Sequence, residues 1–348
     1  MSNRFESAID FTMIKPLASK VIGLFICIWV LIPSLVEAIF KGWKNVFGKK
    51  ERMKPPDVLS DPRWGSHHHI QLPGLMMHYV EKGDHTKPLM IFLHGFPEFW
   101  FSWRYQIEYF AKDYWCVAPD NRGYGETDKP PGMQNYSLDI LADDVANLAK
   151  KLGREKFILV GHDWGGAIGY QVCLRHRAMV DKYITCNFPH PLSFNEQLEG
   201  NWRQMMNSWY IFMFQCPFIP EKGCQFGDLK IFNDSFKDMQ SDRRPSKEEM
   251  ECYKYTFNDA RSFHGPLNYY RHIFQYGDSN DKPAKTRVPV LQLWGEGDKY
   301  LHIDTARGSK KYINDFEEEY FGGVSHWIMQ EVPTQVNEAM EKYLKARK

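Results

Sequence analysis

The sequence predicts an α/β protein: a doubly wound, mostly parallel sheet, a helical cap inserted between the sixth and seventh sheet strands, and an apolar helix at the N-terminal side. Three observations carry this. Short apolar runs alternate with amphipathic segments over residues 73–192 and again over 284–348, and strands alternating with helices build a largely parallel sheet. Between 193 and 283 the strand signal stops and a helical pattern takes over, with 18 of 91 residues Phe, Tyr or Trp. An insertion of that size lies over the carboxyl ends of the strands, where such sheets bind ligands. Finally, residues 21–40 are apolar apart from Glu37.

Taken in order, residues 1–20 are polar, and the apolar stretch 21–40 follows. A membrane helix needs about 17–25 apolar residues, so 21–40 is expected to anchor the chain in a membrane, with Lys20 and Lys41 reaching outward at its ends. The polar stretch ahead of it and Pro33 within it argue against a cleaved signal peptide. Lys41, Lys44, Lys49, Lys50, Arg52 and Lys54 follow the span, against Arg4, Lys15 and Lys20 before it. The excess of positive charge on the C-terminal side places the remainder of the chain in the cytosol, with the endoplasmic reticulum as the expected membrane. Residues 41–72 read as a basic linker. Within it, His67, His68 and His69 are consecutive and cannot converge on one ion from a strand, so no metal site is expected there.

Bulk properties narrow the function. Lys and Arg number 44 against 43 Asp and Glu, which gives nucleic-acid binding no electrostatic support. The seven cysteines show no CxxC spacing, as expected of buried thiols in a reducing compartment rather than of a disulfide or zinc framework.

Within the sheet region, strands are expected at Met76–Val80, Leu89–Leu93, Trp115–Ala118, Phe157–Val160 and Val180–Thr185. Val288–Trp294 and Glu317–Phe321 follow the insertion. A helix is expected from Ser137, a plausible N-cap, to Leu152, stopped by Gly153, with Leu141, Val145, Leu148 and Leu152 on one face. A C-terminal helix covers Pro333–Leu344.

The chemistry centres on Phe157-Ile-Leu-Val-Gly-His-Asp-Trp-Gly-Gly166. A buried strand runs through a glycine-flanked turn into a helix, and the residue at the apex of such an elbow is presented as a nucleophile. That residue is Asp163. A carboxylate there attacks carbon and leaves an ester on the enzyme. The partners expected in this architecture follow in the order nucleophile, acid, histidine. Asp298, in Gly295-Glu-Gly-Asp after the seventh strand, is the expected acid, with Glu296 as the alternative; His326 follows the last strand. Asn187, after the sixth strand, cannot serve as the acid. His94-Gly-Phe-Pro97 lies where an oxyanion loop belongs, so the backbone amides of Phe96 and Trp164 are the expected oxyanion hole.

These residues carry a resemblance. His94-Gly-Phe-Pro-Glu98, Ser102-Trp-Arg-Tyr-Gln106, Gly123-Tyr-Gly-Glu126 and Gly161-His-Asp-Trp-Gly-Gly166 resemble the α/β-hydrolase fold epoxide hydrolases over roughly residues 74–345. The resemblance implies two cap tyrosines that hydrogen-bond the ring oxygen of an epoxide. Tyr210, in Trp209-Tyr-Ile-Phe-Met-Phe-Gln215, and Tyr270, in Gly265-Pro-Leu-Asn-Tyr-Tyr270, match them. It further implies an apolar epoxide and water as substrates, a vicinal diol as product, and no cofactor. Haloalkane dehalogenases share the aspartate elbow, but Phe96 stands where that family usually places an asparagine halide donor. A non-catalytic binding protein on the same fold is the remaining alternative.

Overall fold

The computed structural model describes residues 16–259, 261–276 and 284–347. Most of the polar segment 1–20, with Arg4 and Lys15, and residues 277–283 of the cap lie outside them. Eight strands form one sheet: β1 (Ser66–Leu72), β2 (Leu75–Lys82), β3 (Leu89–Leu93), β4 (Trp115–Pro119), β5 (Phe157–His162), β6 (Val180–Cys186), β7 (Val290–Gly295) and β8 (Phe316–Phe321). Their spatial order is β1-β2-β4-β3-β5-β6-β7-β8. The β1/β2 and β2/β4 pairs are antiparallel and the rest parallel.

The central strands are apolar because both of their faces are covered. Every residue of β3, β4, β5 and β7 is buried. The edge strand β8 instead exposes Glu317, Glu318 and Glu319, charges that discourage pairing with another chain.

Strand β1 corrects one expectation. Residues 66–72 were expected at the end of a linker, yet they pair with β2 over seven residues. An edge strand reading Ser-His-His-His-Ile-Gln-Leu turns only Ile70 and Leu72 into the core and is polar elsewhere, so its apolar alternation is too short to stand out. Its histidines are used locally: His67 Nδ1 lies 2.9 Å from His78 Nε2, and His67 Nε2 lies 2.8 Å from the Leu59 carbonyl oxygen.

The helices follow in chain order. Ahead of the sheet lie α1 (Pro16–Lys41) and α2 (Trp43–Phe47); α3 (Arg104–Phe110), α4 (Leu138–Lys151) and α5 (Trp164–Arg175) cross between strands. The Ser137 hydroxyl caps α4 by accepting from the Ile140 amide at 3.2 Å, and Gly153 takes a φ of 74° just beyond its end. Among the described residues, the segment between β6 and β7 holds the helices α6 (Pro191–Gly200), α7 (Trp202–Asn207), α8 (Trp209–Phe214), α9 (Ile219–Gly223), α10 (Phe226–Phe236, kinked at Gly227–Leu229), α11 (Lys247–Thr256) and α12 (His264–Tyr276). After β7 come α13 (Ile303–Gly308), α14 (Ile328–Glu331) and α15 (Pro333–Ala346).

The cap is fastened to the sheet domain by buried polar contacts. Tyr269 Oη donates to the Arg122 carbonyl oxygen at 2.8 Å, Trp327 Nε1 donates to the Ser235 carbonyl oxygen at 2.8 Å, and Arg104 pairs with Glu249 at 2.8 Å. All seven cysteines are free and buried.

The basic segment after α1 is likewise bound to the cap. Arg52 forms a fork with Asp228 at 2.8 and 2.9 Å and reaches Glu251 at 2.8 Å. Lys49 donates to the Asn258 carbonyl oxygen, and the Phe47 ring stands edge-on to Phe226, 4.6 Å away. The linker expected at 41–72 is therefore a strap, because its Arg52 finds two carboxylates on the cap. Among the described residues, one helix, Ser19–Lys41, is long and apolar enough to cross a membrane.

Candidate active site

Strands β3, β5, β6, β7 and β8 are neighbours in that order. The loops leaving their carboxyl ends bring Phe96, Asp163, Asn187, Asp298 and His326 to one edge of the sheet. The elbow itself is shaped by close approach. A Cβ on Gly161 would lie 2.4 Å from the Gly165 carbonyl oxygen, and one on Gly165 would lie 2.1 Å from that of Leu93. Asp163 at the apex takes φ 51° and ψ −119°, a conformation costly for a residue with a Cβ and retained where the surroundings enforce it.

The Phe96 amide donates to Asp163 Oδ1 at 2.8 Å. Trp164 opens α5, and the first amides of a helix have no partner within it; its ring is buried against Tyr269 and Tyr270. On the other side, His326 Nε2 stands 3.6 Å from Asp163 Oδ2, an ion-pair distance, and His326 Nδ1 lies 2.6 Å from Asp298 Oδ2. Asp298 is held in turn: the Tyr300 and Leu301 amides donate to its Oδ1 at 2.8 and 3.0 Å. Glu296, the alternative acid, is exposed.

The electrostatics follow from burial and charge together. Burial opposes the His326 imidazolium, but the charge of Asp298 and the adjacent Asp163 outweigh it and push the group up to about 10. Burial raises the Asp163 carboxyl, while His326 above all, then His162 and the Phe96 amide, holds it below the usual carboxylate range. The resting site is thus an imidazolium between two carboxylates.

The cap supplies the opposite wall. Tyr210 on α8 and Tyr270 on α12 have ring centroids 6.0 Å apart in an edge-to-face arrangement. Burial raises both phenols well above their ordinary value, and the Asp163 charge adds to each. Both are therefore hydrogen-bond donors at any physiological pH. Phe96, Phe214 and Tyr270 pack with centroids 5.0–5.6 Å apart, giving the wall an aromatic surface.

Sequence reasoning missed several supporting residues. Asn187, dismissed as an acid, donates from Nδ2 to Asp298 Oδ2 at 2.7 Å and accepts from the Gly295 amide at 3.0 Å. Its place directly after β6 was the only available signal. Tyr300 stands edge-on to His326, 5.2 Å away, and 6.1 Å from Tyr210. Behind the site, fully buried Glu98 accepts from the Gly95 amide at 3.2 Å and lies 2.7 Å from His162 Nδ1. His162 Nε2 lies 2.9 Å from the His326 carbonyl oxygen. One buried chain thereby joins the loop after β3, the elbow and the loop that bears His326. Among the described residues, no group of three or more His, Cys, Asp or Glu side chains is placed to hold a metal ion.

The alpha/beta hydrolase fold model matches residues 88–331. The chain is 40% identical over 306 residues to epoxide hydrolase 1 of Caenorhabditis elegans, covering 86% of this chain and 74% of that one. It is 38% identical over 328 residues to human epoxide hydrolase 4, covering 92% and 90%. The chain belongs to the α/β-hydrolase fold epoxide hydrolase family. Among solved structures, a Bacillus megaterium epoxide hydrolase bound to an inhibitor superimposes with a TM-score of 0.72 at 30% identity, covering 80% of this chain and 100% of that one. A Vigna radiata epoxide hydrolase superimposes with a TM-score of 0.69 at 28% identity, covering 81% and 98%. The family's fold is the one described above.

Proposed function

We propose that the chain hydrolyses an apolar epoxide to a vicinal diol through a hydroxyalkyl ester on Asp163. The observation that carries this reading is a carboxylate faced by an imidazolium on one side and by two donor phenols on the other. Asp163 attacks a ring carbon, the carbon–oxygen bond breaks, and Tyr210 and Tyr270 donate to the oxygen as it becomes an alkoxide. The ester so formed carries no charge, so His326 loses one of the two anions that held its proton and releases it, and the alkoxide takes up one proton to become the first hydroxyl. His326 then acts as the base that deprotonates water, with Asp298 fixing its orientation. Water attacks the ester carbonyl, whose oxygen receives the Phe96 and Trp164 amides. Collapse expels the diol and restores the carboxylate.

Two variants test the scheme. His326→Ala incubated with an epoxide should gain the mass of the epoxide, located by peptide mapping on Asp163. Asp163→Asn should form neither adduct nor diol. An active Asp163→Asn enzyme, or a His326→Ala enzyme that binds substrate yet forms no adduct, would sink it.

In the cell, the apolar helix supports a membrane-bound enzyme with its catalytic domain in the cytosol, on the endoplasmic reticulum. The basic residues after α1 favour that orientation, although Arg52 is engaged by the cap. Asn135-Tyr-Ser137 and Asn233-Asp-Ser235 are glycosylation sequons. A mobility shift on glycosidase treatment of the cell-made protein would place the domain in the lumen instead.

A further inference from the structure

Helix α1 does not stand away from the cap. Gly23 approaches α8 so closely that a Cβ there would lie 2.4 Å from the Phe212 carbonyl oxygen and 3.1 Å from the Cys216 amide. One turn on, Cys27 Sγ donates to the Met213 carbonyl oxygen at 3.7 Å. Ser19, Gly23 and Cys27, spaced four apart, are the buried residues along this line. Beyond the other end of α1, Phe47 packs on Phe226 and the Gly48 carbonyl oxygen accepts from the Asp228 amide at 2.9 Å. The helix has 26 residues, about 39 Å at about 1.5 Å per residue; its N-terminal half lies against α8 and the chain that follows it is held to α10. Its other side exposes Phe25, Trp29, Val36, Ile39 and Phe40.

The cap beside it is apolar on its surface. Trp202 is 68% exposed and Met206 60%, with Met205 and Trp209 exposed as well. These positions fall at i, i+3, i+4 and i+7 and so share one face of the α7–α8 segment. Phe218, two residues after the Cys216 amide that meets Gly23, is 81% exposed. Packed helices lie about 8–10 Å apart, so lipid that surrounds the outer side of α1 lies within one helix diameter of α8.

We infer that α1 and the α7–α9 face of the cap form one membrane-contacting surface, with Trp202, Met206, Trp209 and Phe218 seated in the acyl-chain boundary of a lipid bilayer. This rests on the reading of α1 as a membrane helix. The partner is a bilayer rather than a protein because the surface is continuous with the exposed apolar side of α1, which packs on the cap at Gly23 and Cys27 and so lies in the membrane interface beside it, and because Trp and Met supply apolar area without charge. A consequence is that α8, which bears Tyr210 next to Trp209, lies at the membrane boundary. An epoxide dissolved in lipid then reaches the catalytic tyrosines without first crossing bulk water.

The test uses the full chain in phosphatidylcholine proteoliposomes, prepared with and without brominated acyl chains. Because all seven native cysteines are buried, a thiol-reactive fluorophore can be directed to Met206→Cys, Trp29→Cys or Glu318→Cys. Acyl bromination should cost the probes at 206 and 29 most of their emission and leave the probe at 318 unchanged. Quenching at 29 without quenching at 206 would overturn the cap surface and leave the membrane helix standing. Quenching at neither position would overturn the membrane reading itself. Trp202→Cys repeats the measurement in case Met206→Cys disturbs α7; a probe at 202 that stays bright while 29 is quenched also refutes the inference.

Discussion

The proposed chemistry needs His326 to hold its proton while Asp163 attacks and to give it up once the ester exists. Asp163→Asn reproduces the charge of the ester without the reaction. At the 3.6 Å separation of His326 Nε2 and Asp163 Oδ2, the attraction is about 4.6 kcal/mol at an effective dielectric of about 20. At about 1.36 kcal/mol per pKa unit this amounts to a little over 3. The imidazole, pushed up to about 10 in the resting enzyme, should therefore fall to between about 6 and 7 when Asp163 is neutral. Imidazole resonances followed by NMR, with His326→Gln to assign the signal, measure this directly. Rapid-quench kinetics supply the second arm: ester formation should be flat through neutral pH, while ester hydrolysis should fall as pH drops below about 7. Stability follows the same group. Its folded value lies above the ordinary 6.5, so its contribution is complete below 6.5 and is lost as pH rises through about 10. The melting temperature of the wild type should decline over that alkaline window by more than that of Asp163→Asn. A His326 that titrates near neutrality in the resting enzyme, or one still protonated at high pH in Asp163→Asn, would refute the charge-release argument.

Other perturbations separate the two half-reactions. Tyr210→Phe and Tyr270→Phe should each slow ester formation, by up to about 10²–10⁴-fold, while leaving hydrolysis of a preformed ester near its normal rate in single-turnover assays. Asn187→Ala removes a hydrogen bond to a charged carboxylate, worth about 1.5–3 kcal/mol. It should slow ester hydrolysis by about 10- to 100-fold, seen as ester accumulating at steady state. Gly95→Ala places a Cβ 2.4 Å from that of Asp163; a displacement of about 1 Å at a reacting centre costs about 10²-fold. Ester formation should drop accordingly in a protein whose circular dichroism is unchanged.

What could be read from the sequence was local. Asp163, Asp298 and Phe96 each come within three residues of a fully buried apolar strand and sit among glycines, so one short window contains both the position and the reason for it, and His326 follows Gly322-Gly323 after β8. Elements that depend on distant partners were hidden. Strand β1 has only Ile70 and Leu72 to turn inward and is defined by its pairing with β2. Arg52 resembles any basic linker residue until Asp228 and Glu251, 176 and 199 positions away, meet it. Asn187 reads as a failed acid because its partner Asp298 comes 111 residues later. Glu98 and His162 were visible as motif letters, yet their function as a brace appears only where the loops converge. The seat of α1 on α8 was hidden for a further reason: glycine in an apolar run signals nothing until another backbone lies against it.

The hydrogen bond from the Phe96 amide to Asp163 Oδ1 makes the two oxygens of that carboxylate unlike. In the proposed reaction, with Oδ1 held in place, Oδ2 would become the bridging oxygen of the ester and depart in the diol, and an oxygen from water would fill the vacancy. The first diol released would then contain an atom that was part of the protein, and every later one an atom left by the preceding cycle. An enzyme working in heavy-oxygen water would renew half of its carboxylate at each turnover and keep the other half from the day it was synthesised. Its aspartate would acquire a single heavy atom however long it worked.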